Sequence, residues 1–162
     1  MSFISYKTEL KWAILFIIAS VLWLVLAKIL GMFSSQMGNF PIFSMLFIVP
    51  AVLIFIGALL DKKNNYYSGA MNFKQGFMSA MLITIFVTLC TPLSQYVFHS
   101  FIAPEFFPNI IQYSIDTGEM TPENAAAFFN LKSYIVQSSI ASLVSGIITS
   151  LIVAFFVQSK NK

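Results

Sequence analysis

Four long apolar runs, separated by shorter polar segments, dominate the chain. The runs cover residues 10–30, 40–60, 77–101 and 134–157, and none of them contains an acidic residue. A helix needs about 20 mainly apolar residues to cross the hydrocarbon core of a bilayer, which is about 30 Å thick. The pattern therefore predicts an all-α integral membrane protein with four transmembrane helices, folded as one domain over residues 1–162.

The composition agrees with a membrane protein and excludes an ordinary soluble domain. Hydrophobic residues make up 58% of the chain and charged residues only 9%, whereas about 25% of a soluble domain is charged. The net charge of +3 does not indicate nucleic-acid binding, because the lysines lie at the ends of apolar runs and the chain has no arginine to hold phosphate in bidentate fashion. The lipid bilayer is the expected environment.

The first apolar run is interpreted as a transmembrane helix and not as a signal peptide. Lys7 and Lys11 followed by an apolar block resemble the start of a signal sequence. However, the block is longer than the 7 to 15 residues typical of a signal core, and no small-x-small cleavage site follows it. Three further spans come after it, which favours the first of four membrane helices.

Lysine placement predicts the orientation of the helices. One side of the membrane receives seven lysines, namely Lys7, Lys11, Lys62, Lys63, Lys74, Lys160 and Lys162. The other side receives Lys28 and Lys132, together with the acidic residues Glu105, Asp116, Glu119 and Glu123. Since cytoplasmic loops carry the excess of lysine, both termini are expected in the cytoplasm and the acidic 102–133 loop outside it.

The 102–133 segment is too long for a featureless loop and is expected to carry helices of its own. Apolar residues after Pro108 predict a short amphipathic helix that stops at Gly118. Thr121, Pro122 and Glu123 then predict a helix start, because threonine can cap the helix, proline suits its first position and glutamate complements its dipole. This second helix is expected to continue toward the fourth span.

Small residues recur every fourth position along the last two spans. The third span carries Gly76, Ala80, Thr84, Thr88 and Pro92, and the fourth carries Ser138, Ser142, Gly146, Ser150 and Ala154. Helices associate in membranes where small side chains let backbones approach and hydroxyls bond across the contact. The two spans are therefore expected to pack along these ridges. The alternative is that the Ser/Thr-rich seam lines a polar pathway.

Several runs resemble a four-helix bacterial membrane family known as domain of unknown function 4199. The runs that carry the resemblance are Leu59-Leu60-Asp61-Lys62-Lys63, Asn72-Phe73-Lys74-Gln75-Gly76-Phe77, Pro92-Leu93-Ser94-Gln95-Tyr96, Pro104-Glu105-Phe106-Phe107-Pro108 and Asn130-Leu131-Lys132-Ser133-Tyr134. The resemblance extends over essentially the whole chain. It implies a bacterial inner-membrane protein, with the acidic loop in the periplasm of a Gram-negative cell, and it supplies no activity and no catalytic residues.

Residues suited to catalysis are scarce, so no enzyme activity, metal or cofactor is expected. One His and one Cys, with no carboxylate inside an apolar run, cannot build a typical tetrahedral metal site in one chain. A triad of Ser94 or Ser100 with His99 and Glu105 is disfavoured, because adjacent helical residues point in different directions and no G-x-S-x-G elbow is present. Nucleotide-binding glycine loops are also absent from the sequence.

Two classes of function remain after these exclusions. The preferred one is a non-enzymatic accessory or interaction protein that contacts a membrane protein partner or other membrane components. The alternative is a small transporter or channel, which would work as a homo-oligomer or through the last two spans. Coupled carriers typically place an acidic residue or arginine near the bilayer midplane, and none is seen here. Lys28, near the outer end of the first run, is expected to reach the interface and to meet either headgroup phosphates or an acidic side chain of the outer loop, such as Glu105.

Overall fold

The four apolar runs become the long helices of the structure, because a chain in hydrocarbon must satisfy its backbone N–H and C=O groups within each segment. The computed structural model describes residues 6–159, and no strand occurs in that range. Its helices are α1 (Lys7–Ile29), α2 (Phe40–Met45), α3 (Ile48–Asn65), α4 (Phe73–Val97), α5 (Phe106–Asp116), α6 (Pro122–Phe128) and α7 (Leu131–Val157).

Four segments are long and apolar enough to cross a membrane, as predicted: Lys7–Ile29, Met37–Asn65, Phe73–Ile102 and Leu131–Val157. Their outer surfaces are strongly apolar. Ile29, Leu89 and Phe156, for example, are 75%, 71% and 78% exposed. Such exposure is costly in water and ordinary in lipid, so the chain is a multi-pass membrane protein.

The second span is broken, whereas the sequence predicted one helix over residues 40–60. α2 ends at Met45 and α3 begins at Ile48. Pro50 accounts for the break, because proline has no N–H and its ring clashes with the carbonyl four residues earlier, which belongs to Leu46. The Leu46 carbonyl instead accepts from the Val49 N–H at 3.2 Å, a tighter turn than an α-helix makes.

Asparagine caps set two helix starts earlier than predicted. Asn72 accepts from the backbone N–H of Gln75 while the Gln75 side chain accepts from the N–H of Asn72, so α4 starts at Phe73 and not at residue 77. Asn130 caps α7 in the same position by accepting from the Ser133 N–H at 2.9 Å. The expectation that the helix after Thr121 runs into the fourth span is therefore wrong, since α6 ends at Phe128.

α4 and α7 pack along the two ridges of small residues, as predicted. The Thr84 and Ser150 hydroxyls lie 3.2 Å apart, and those of Thr88 and Ser142 lie 3.3 Å apart. Gly146 faces Thr84 so closely that a Cβ at Gly146 would lie 2.7 Å from the Thr84 hydroxyl oxygen. The seam is thus a close helix contact with hydroxyls bonded across it.

The segment between α4 and α7 folds over one end of the bundle. α5 stops where Gly118 takes a positive φ of 73°, and Thr121 caps α6 by accepting from the Asn124 N–H, as predicted. The buried rings of Phe33, Phe98 and Phe106 fasten this segment to the helices below it. We call this end, which carries Glu105, Asp116, Glu119 and Glu123, the acidic end.

The opposite end, where α1 and α4 begin and α3 and α7 finish, is the lysine-rich end. Among the described residues it carries Lys7, Lys11, Lys62, Lys63 and Lys74. Lys160 and Lys162, which also entered the orientation prediction, lie outside the described residues.

Candidate functional site

A buried ion pair joins three helices at the lysine-rich end. Glu9 of α1 and Lys62 of α3 have side chains only 2% and 3% exposed, and the Lys62 ammonium lies 2.9 Å from Glu9 Oε1. The Ser79 hydroxyl of α4 donates to the same oxygen at 2.6 Å. The Lys62 ammonium also lies 4.1 Å from the centre of the Tyr66 ring. A carboxylate and an ammonium are thus held together away from solvent.

This pair corrects one sequence expectation. The first span was predicted to begin at residue 10, with no carboxylate inside the membrane. α1 begins instead at Lys7, so Glu9 belongs to the first membrane-spanning helix, and its side chain is buried in the bundle. The sequence signal was an acid directly before an apolar run. Ionisable residues inside a membrane bundle are costly, and a functional role is the default hypothesis for them.

A second set of charged contacts lies at the same end of the bundle. Asp61 accepts from the Lys11 ammonium at 2.5 Å, from the Trp12 indole N–H at 2.7 Å and from the Asn65 amide at 2.7 Å. The Lys63 ammonium donates to the last carbonyl of α7, that of Val157, at 2.9 Å. Together these contacts fasten α1, α3 and α7 to one another at this end.

At the acidic end, Lys28 pairs with Glu105, one of the partners that the sequence suggested for it. The two charged groups lie 2.8 Å apart, and the Lys28 ammonium also donates to the Ile102 carbonyl. The hydrogen bond from Lys28 holds the pKa of Glu105 below its usual range. Since both side chains are more than a third exposed, this pair is an anchor at the membrane boundary.

His99 is the most unusual residue at the acidic end. It lies in a π-helical turn, Phe98–Ile102, that ends the third span, and it is 4% exposed. Its ring packs against those of Phe106, Phe107 and Tyr134 at centroid distances of 4.8 to 5.1 Å. Neither of its nitrogens has a hydrogen-bond partner among the described residues, and the Gln95 amide oxygen, one turn earlier, has none either.

The residues weighed for a catalytic triad do not converge. Glu105 is engaged by Lys28, the Ser94 hydroxyl donates to the Thr91 carbonyl, and His99 is enclosed by aromatic rings. Within residues 6–159, His, Cys, Asp and Glu form no group of three that could hold a metal ion. The expectation that the protein is not an enzyme stays a prediction.

A groove of about 680 Å³ lies on the acidic end, where it is formed by the turn that joins α5 to α6 and by α6 itself. Its walls include Met120, Ala127 and the half-exposed ring of Phe128, and Glu119 stands at its edge. Asp116 and Glu123 lie on the helices that flank it. A groove lined by apolar side chains and by the Glu119 carboxylate suits a partner that carries both apolar and cationic side chains.

A family model described as "Protein of unknown function (DUF4199)" matches residues 11–159. No curated protein matches the chain, and no solved structure matches it. The family description assigns no activity to any residue.

Proposed function

The chain belongs to the DUF4199 family of proteins of unknown function, and we propose that it is a non-enzymatic accessory or interaction protein of the membrane. Its contact surface is the acidic segment 102–133. The observation that carries this proposal is the groove formed by the α5–α6 turn and α6, which combines apolar walls with the Glu119 carboxylate. A surface segment that served only as a connection would need neither.

The segment has the rigidity that a docking surface requires. Phe106 of α5 and Ala125 of α6 are fully buried, and the Asn109 side chain donates to the Phe33 carbonyl at 2.7 Å. The Lys28–Glu105 pair holds the start of the segment against α1. A partner would therefore meet a preformed surface and would lose little binding energy to ordering it.

We propose that the protein is a bacterial inner-membrane protein with both termini in the cytoplasm and the 102–133 segment outside it, in the periplasm of a Gram-negative cell. The excess of lysine at the opposite end supports this orientation. In a background lacking Cys90, an impermeant thiol reagent on intact spheroplasts should label Asn124→Cys and spare Asn65→Cys. Labelling of Asn65→Cys alone would reverse the orientation.

Crosslinking tests the interaction proposal. The protein, carrying a photoreactive amino acid at Asn124, would be crosslinked in its native membrane, purified in mild detergent and subjected to mass spectrometry. One stoichiometric partner is expected, and its capture should fall when Glu119 and Glu123 are both changed to Lys. The control is the same photoreactive residue at Leu89, which faces lipid. A partner captured equally from both positions, or unaffected by charge reversal, contradicts the proposal.

The buried Glu9–Lys62 pair supports a second candidate function, a small transporter. Coupled carriers use ionisable groups inside the bundle to move protons or ions, and this pair is such a group, although it lies near the lysine-rich end and not at mid-membrane. Solute or proton flux in liposomes that disappears in Glu9→Gln, with the variant still folded, would favour transport. A flux-free protein with a specific partner would favour the accessory role.

A further inference from the structure

A groove of about 860 Å³ lies at the lysine-rich end, where α4 begins and α7 finishes. Three phenyl rings, those of Phe73, Phe155 and Phe156, form its apolar wall, and all three are exposed. The Phe73 ring stacks on that of Phe77 at 6.0 Å, so the wall continues up α4 into the membrane-spanning part. The groove thus opens toward lipid on one side and toward the aqueous boundary on the other.

The polar rim of this groove is cationic. Lys74 is exposed and has no ion-pair partner among the described residues, and the amides of Asn72 and Gln158 lie beside it. The two described carboxylates of this end are already engaged elsewhere, Glu9 by Lys62 and Asp61 by Lys11. Within residues 6–159, no carboxylate therefore neutralises the Lys74 charge.

We propose that this groove binds an anionic phospholipid, with the headgroup phosphate at Lys74 and an acyl chain along Phe73, Phe155 and Phe156. Basic pockets next to membrane helices attract anionic headgroups. A zwitterionic lipid fits less well, because its own ammonium group offsets the attraction to Lys74. The continuous phenyl wall gives the acyl chain a contact that a free phosphate ion could not use.

Lipid titration of the purified full chain tests this site. In detergent micelles, native mass spectrometry would count bound phosphatidylglycerol and phosphatidylcholine for the wild type, Lys74→Gln and the control Lys7→Gln. Lys7 is also exposed and lies at the same end, but it is not part of the groove. Phosphatidylglycerol should bind preferentially, and Lys74→Gln should weaken it by about fivefold, the contribution of one lysine near an anionic surface. Lys7→Gln should bind as the wild type does.

Two further measurements separate the lipid from other occupants. Glycerol phosphate, which lacks acyl chains, should not compete with phosphatidylglycerol, and Phe156→Ser should weaken lipid binding while Lys74 is intact. Competition by glycerol phosphate would mean a simple phosphate site and would overturn the proposal. Three other results would also overturn the proposal: equal binding of both lipids, equal losses of lipid binding in Lys74→Gln and Lys7→Gln, or a dimer that forms through Phe156 and excludes lipid. Matching melting curves without added lipid confirm that the variants are folded.

Discussion

Gly146 is the position at which a single side chain should separate α4 from α7. A Cβ at this residue would lie 2.7 Å from the Thr84 hydroxyl oxygen and 3.1 Å from the Thr84 Cβ. Thr84 is itself buried, so it has no free space into which it could move. Gly146→Leu must therefore push the two helices apart.

The expected cost follows from two contributions. Overpacking of a well-packed contact typically costs about 1 to 3 kcal/mol. The Thr84–Ser150 hydrogen bond, 3.2 Å long, would also be disturbed, and such bonds between membrane helices contribute about 0.6 kcal/mol on average. Gly146→Leu should thus lower the free energy of unfolding by about 1.5 to 3.5 kcal/mol.

Unfolding in mixed micelles with increasing denaturing detergent would measure this loss. The matched control is Ala141→Leu, since Ala141 lies on the same helix and is exposed to lipid; it should be nearly neutral. A double-mutant cycle adds a sharper test, because Thr84→Ala removes the atoms that collide and should recover part of the loss in Gly146→Ala. Equal losses in Gly146→Leu and Ala141→Leu, or strict additivity in the cycle, would refute the packing seam.

Three other predictions concern the charged and polar groups. Glu9→Leu removes the carboxylate opposite Lys62 and should cost about 3 to 5 kcal/mol of stability, whereas adding Lys62→Met should recover most of that loss. If detergent unfolding shows the same loss for the single and the double variant, the two residues are not a coupled pair. His99→Phe removes two nitrogens that lack partners among the described residues and should raise stability by about 1 to 3 kcal/mol; a marked loss would reveal a partner for the imidazole. The hydrogen bond from Lys28 lowers the folded pKa of Glu105 below its ordinary value, so this pairing stabilises fully above the ordinary pKa and is lost as pH falls through the folded pKa. The effect should be at most about 1 kcal/mol because the pair is partly exposed, and unfolding followed between pH 6 and 3 should show it in the wild type and in Glu123→Gln but not in Glu105→Gln.

The sequence by itself determined the features that depend on neighbouring residues. Apolar length is a local property, so the four spans were predictable from hydrophobic runs. The stop at Gly118 and the start at Thr121 were predictable for the same reason, because a cap involves atoms only a few residues apart. The period of small residues also identified the contact between α4 and α7, since residues four apart share one face of a helix. Pro50 carried a readable signal for the break between α2 and α3, as did Asn72 and Asn130 for their helix starts.

Only the tertiary structure decided which polar groups meet. Glu9 and Lys62 are 53 positions apart, and Ser79 is further still, so no local pattern could show that they share one buried site. The enclosure of His99 likewise depends on how α5 and α7 pack against the end of α4. The physical reason is that burial and pairing of a charge depend on every helix around it, whereas the propensity to cross a membrane depends on one segment alone.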